Sequence, residues 1–120
     1  MKTAVIIASD PNSRADEALG RFRNALSLAN ESRNLGDQVE IGFIGAGTRW
    51  PAVASQLGHP ANEAYNNVRD LVKGVSRACA RVNGAEESAA AAGAALIANG
   101  PTGGLSLRHY LADGWQLVVL

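Results

Sequence analysis

Val5-Ile6-Ile7 sits at the centre of an apolar run from Thr3 to Ala8 that has no polar alternation. A strand of that kind is buried on both faces, which places it inside a parallel sheet and away from a solvated surface. Ser9-Asp10-Pro11-Asn12-Ser13 ends the run with turn residues and offers helix N-cap candidates, Asp10 first among them. From Arg14 to Leu35, Ala15, Ala18, Leu19, Phe22, Ala25, Leu26, Ala29 and Leu35 recur at helical spacing, and Gly36 follows as a left-handed stop. Val39 to Ile44 then reads as a second strand. Strand, helix, glycine stop and strand make a βαβ unit, and parallel strands joined in this way commit the chain to an α/β fold.

The remainder continues the pattern. Gly45-Ala46-Gly47-Thr48-Arg49-Trp50-Pro51 invites a dinucleotide-binding reading, but Trp50 stands in place of the third glycine and the loop follows the second strand, not the first. It reads better as a glycine turn into a helix with Pro51 near its first position; Thr48, Arg49 and the helix start could still hold a small anion. After Gly58-His59-Pro60, a helix begins at Asn62 or Glu63 with the stripe Tyr65, Val68, Leu71 and Val72. That stripe continues at helical spacing through Val75, Cys79 and Val82, so periodicity alone runs one helix to Val82. Gly74, and the lack of any other strand between Ile44 and Ala94, argue against one unbroken helix and leave a strand there open. Both readings stay open. Ala85 to Ala92 is an alanine-rich helix stopped by Gly93, and Ala94 to Ala98 is a buried strand. Asn99 to Gly104 is the most flexible-looking loop, Leu105 to Asp113 a helix stopped by Gly114, and Trp115 to Leu120 a last strand. The expectation is one three-layer α/β/α domain over residues 1–120, with a mainly parallel sheet of four or five strands in the flavodoxin-like or Rossmann-like manner.

Charge and composition narrow the function classes. The 120 residues carry no formal net charge, so nothing electrostatic favours nucleic acid or an anionic membrane. Aromatics at 5 % leave few platforms for stacking bases. The single cysteine cannot form an internal disulfide, and the apolar run at the N-terminus is too short for a signal peptide or a membrane span. A cytoplasmic protein is expected. His59 and His109 lie far apart without ligand neighbours, so neither a metal nor an organic cofactor is expected. No nucleophile elbow and no phosphate-binding lysine motif is present.

The chemistry that remains centres on Gly74-Val75-Ser76-Arg77-Ala78-Cys79-Ala80-Arg81-Val82-Asn83-Gly84. This segment resembles the cysteine segment of DsrE/DsrF-like proteins, small α/β proteins that include sulfur-relay subunits. In one branch the segment reads roughly Gly-Val-Cys-x-x-Cys-Ala; here Ser76 stands at the first cysteine position and Cys79 at the second. The tail from Leu105 to Trp115 resembles the closing helix and Gly-aromatic strand start of the same family. The resemblance implies a short strand near Gly74 to Ala78, a helical turn after Cys79, and homo-oligomers, commonly trimers or hexamers. It also implies a sulfur carrier that holds a persulfide on Cys79 and exchanges it with a donor or acceptor protein.

Ligands of open α/β sheets bind beyond the carboxyl ends of the strands. Ser9, Asp10, Thr48, Arg49, Ser76 and Arg77 are therefore the ligand-contact candidates around Cys79. The helix start, with Arg77 or Arg81, would favour the thiolate that sulfur transfer needs. Two other readings stand beside this one. Cys79 can be a small apolar core residue, as its place on the stripe suggests. Alternatively the chain is a non-catalytic oligomeric binding domain that holds a small ligand or anion in the strand-end cleft, a reading favoured by Ser76 in place of a cysteine.

Overall fold

The computed structural model describes residues 1–120. Five strands form one sheet: β1 (Lys2–Ile7), β2 (Gln38–Phe43), β3 (Val72–Ser76), β4 (Leu96–Ile97) and β5 (Gln116–Val119). Every pairing is parallel, in the order β4-β3-β2-β1-β5. The helices are α1 (Ala15–Asn34), α2 (Trp50–Ala54), α3 (Asn62–Val68), α4 (Arg77–Val82), α5 (Glu86–Ala91) and α6 (Leu107–Ala112), with a 3-10 turn over Gly45–Arg49. The first four strands step in one direction across the sheet, and only the last returns to the far side of β1. A right-handed crossover that reverses direction must change face. Accordingly α1 to α5 contribute to one core, with Phe22, Phe43, Trp50, Tyr65 and Val75 among its members, while α6 lies on the opposite face.

Val5 and Ile7 point into the larger core, Ala4 and Ile6 into the smaller one, so β1 is buried on both faces as its unbroken apolar run predicts. The smaller core adds Leu105, Tyr110 and Trp115, with the two aromatic rings edge to face at 5.4 Å. The Tyr110 hydroxyl donates to Glu40 Oε1 at 2.9 Å. No helix is long and apolar enough to cross a membrane.

The stretch from Val72 to Ser76 is a strand, and the single helix to Val82 does not form. Its pairing with β2 slips between Ile41 and Gly42, which leaves Lys73 as the extra residue and keeps Val75 on the core side. Gly74 makes the slip possible. Its φ is +153°, and a Cβ there would stand 2.3 Å from the Ala95 carbonyl oxygen. The strand near Gly74 thus ends at Ser76, and Cys79 lies inside a helix that already begins at Arg77. β4 contracts to two residues, where Ala94 to Ala98 was expected.

The N-terminus of α1 also departs from expectation. Its cap position is Arg14, in the left-handed region at φ 48°, with no side-chain cap. Asp10 instead accepts the Asn12 N–H at 2.9 Å and closes the preceding turn.

The two tyrosines give a direct test of these cores. Burial raises the Tyr65 pKa, opposed by the nearby Arg69, and burial together with the Glu40 carboxylate raises that of Tyr110. A raised acid pKa contributes stability in full below the ordinary value of 10.0 and loses it as pH rises through the folded value. Phenolate absorbance of the folded protein at pH 10.0 should therefore lie below that of the urea-unfolded chain, which is half ionised there. A phenolate signal equal to that of the unfolded chain at that pH, with intact circular dichroism, would contradict both environments.

Candidate functional site

Between β3 and β4 the outgoing chain turns to opposite faces of the sheet, which makes their carboxyl ends the topological switch point of the fold. Ser76 ends β3 there and is 2 % exposed. Its hydroxyl accepts the Leu105 N–H at 3.1 Å, and the Ala78 N–H donates to the Gly103 carbonyl at 3.2 Å. The Asn99–Gly104 loop thus lies across the end of β3. It is also held internally, by Gly100 N–H to the Gly104 carbonyl at 2.8 Å and Ser106 N–H to Asn99 Oδ1 at 2.8 Å. The loop that reads as flexible is a tied cover.

Cys79 stands beside this cover in the first turn of α4, half-buried and not in any disulfide. Its carbonyl accepts the backbone N–H of Asn83 at 3.0 Å and the Asn83 side-chain amide at 2.8 Å. Asn83 in turn receives Arg49 Nε at its own carbonyl, at 3.2 Å. Arg49 Nη1 pairs with Asp10 Oδ2 at 2.9 Å. One chain of contacts therefore joins the end of β1, the turn after β2 and the helix that carries Cys79. Arg49 and Asp10 side chains are 32 % and 23 % exposed, so the pair is shielded enough to hold these loops in place.

The other candidates fall in different places around this network. Thr48 is completely buried, and its hydroxyl donates to the Gly45 carbonyl at 2.8 Å. Ser9 offers its carbonyl to Trp50 Nε1 at 2.9 Å. Arg77 and Arg81 both turn to Glu86, at 3.6 Å and 2.9 Å. The surface groups left at the strand ends are Asp10 and Arg49 on one side and Cys79 with Arg77 on the other. Gly47, part of the partial glycine signature, serves packing: a Cβ there would lie 2.3 Å from the Ile7 carbonyl oxygen. No three His, Cys, Asp or Glu side chains gather as a metal site would require.

Two residues of the network carried no sequence signal toward it. Asn83 lies among the intervening residues after Cys79, with no motif of its own. Trp50 reads as an obstacle in a nucleotide loop, yet it is the wedge of the larger core, stacked on Phe22 with ring centres 4.0 Å apart. The class defined by this fold is a five-stranded, all-parallel α/β domain with a covered switch point. No protein family, curated protein or solved structure matches the chain.

Proposed function

We propose that this chain is a DsrE-like sulfur carrier that holds a sulfane sulfur on Cys79. The observation that supports the reading best is the position of Cys79: partly accessible, one helical turn past β3, at the rim where parallel α/β sheets bind their ligands. In the reaction, the Cys79 thiolate attacks the terminal sulfur of a donor persulfide. A Cys79 Sγ–S bond forms, the donor S–S bond breaks, and the donor leaves as a thiolate that takes a proton from water. No external oxidant or reductant is needed. With one cysteine in the chain, no internal thiol can resolve the product, so the persulfide waits for the thiol of an acceptor. Self-association into a trimer or hexamer belongs to the same reading.

Incubation of the full chain with a small-molecule persulfide, followed by intact mass spectrometry, tests the proposal. The wild type should gain the mass of one sulfur, removable by a reductant, and Cys79→Ser should gain none while keeping the wild-type circular dichroism. If Cys79 reacts with persulfide or an alkylating agent only after denaturation, the residue is packing and the carrier reading fails. A non-catalytic binding role for the strand-end rim would then take its place, with a ligand anion displacing Asp10 from Arg49.

A further inference from the structure

A second concavity lies at the opposite rim of the sheet. It occupies about 280 Å³ at the amino ends of β3 and β4, lined by Tyr65, Arg69, Val72, Ala92, Gly93 and Ala94. Most of its wall is apolar, and its side-chain polar groups come only from Arg69 and Tyr65. The Arg69 guanidinium lies over the Tyr65 ring, 4.8 Å from its centre, and donates one N–H to the Ser55 hydroxyl. Unlike Arg49, Arg77 and Arg81, it has no carboxylate partner. Another N–H is hydrogen-bonded to the Tyr65 hydroxyl, and the rest of its five-donor fork remains for a ligand. Tyr65 is 1 % exposed, but it forms part of the pocket wall beside Arg69, where its hydroxyl accepts an Arg69 N–H and keeps its own proton to donate. Its ordinary value of 10.0, raised further by burial, leaves the phenol protonated at neutral pH and hence a donor.

We propose that this pocket binds a small monocarboxylate with a short aliphatic chain. Arg69 supplies the charge and a hydrogen bond to one carboxylate oxygen, Tyr65 donates to the carboxylate as well, and Val72, Ala92 and Ala94 receive the chain. A ligand cation would meet the guanidinium unfavourably, and a bare inorganic anion would leave the apolar wall without contact. The volume lies just below the roughly 300–1,000 Å³ of ordinary ligand pockets, which restricts the chain to a few carbons. The site stands on its own geometry and does not depend on the sulfur chemistry at Cys79.

Titration of the full-length protein with butyrate, butylammonium or inorganic phosphate, followed by the backbone amide NMR signals of Gly93 and Ala94, tests this. Butyrate should give saturable shifts and butylammonium none. Affinity for butyrate should fall about tenfold in Arg69→Gln and about threefold in Tyr65→Phe, because a charge-assisted hydrogen bond is worth more than a neutral one. Arg69→Lys should recover part of the loss, since charge is restored without the fork. Amide signals of β1 and α6 report that each variant is folded. The proposal is overturned if butyrate does not saturate, if Arg69→Gln binds it as wild type does, or if phosphate binds as tightly as butyrate.

Discussion

Replacing Trp50 by alanine should lower the free energy of unfolding by about 4 kcal/mol, the middle of the range for a large aromatic removed from a core. Trp50 is 1 % exposed, and its ring lies parallel to Phe22 at an interplanar angle of 7°. It also meets the His59 ring edge to face at 5.9 Å. The helix that carries Trp50 is short, Trp50–Ala54, and the neighbouring alanines cannot move in to fill the space. The cost therefore includes a residual cavity as well as lost burial. Removal also frees the Ser9 carbonyl that accepts Trp50 Nε1, loosening the loop that presents Asp10 to Arg49. Urea denaturation should show the loss at an m-value close to wild type, and thermal unfolding should fall by about 15 °C for a chain of this size. Trp50→Phe should retain most of the ring contact and cost about half as much. A loss below about 1.5 kcal/mol in Trp50→Ala would mean that this wedge does not hold the larger core together.

Substituting Gly74 by alanine should cost about 3 kcal/mol, combining overpacking with backbone strain. The added Cβ would meet Ala95 backbone oxygen at 2.3 Å and Ile97 Cγ1 at 2.9 Å, and its φ of +153° is one that residues with side chains rarely adopt. The oxygen belongs to the bond that Val75 N–H donates to Ala95 at 2.8 Å, so the clash falls on a sheet contact that cannot swing aside as a side chain can. β4 has only two residues and should separate first. Amide hydrogen exchange should accordingly rise at Val75 and Ile97 before it rises in β1. Because Ser76 and the Asn99–Gly104 cover lie next along the same elements, Cys79 should become more rapidly alkylated in this variant. Wild-type exchange at Val75 would show that the close approach of β3 and β4 tolerates a side chain.

Legibility in the sequence followed how local each signal was. The apolar continuity of Thr3 to Ala8 reports burial on both faces by itself, and the structure places β1 between β2 and β5. The stripe from Ala15 to Ala29, the glycine at Gly36 and the second strand likewise encode a helix, its stop and a parallel neighbour within a few tens of residues. These properties need no knowledge of distant chain. Together they were sufficient for the α/β class.

The region from Leu71 to Val82 was different, because its apolar residues satisfy the helical period while it forms a strand and a short helix. What decides is pairing with β2 and the space beside Ala95, both set by residues far away in the chain; periodicity contains neither. The candidate site shows the same division. Cys79 could be singled out from its neighbours in sequence, but its half-buried position beside a tied loop could not. That Arg49 is neutralised by Asp10, 39 residues earlier, and that Arg77 and Arg81 share Glu86 are facts of three-dimensional proximity. Composition and spacing name the charges available, whereas only the packed loops determine which charge each one meets.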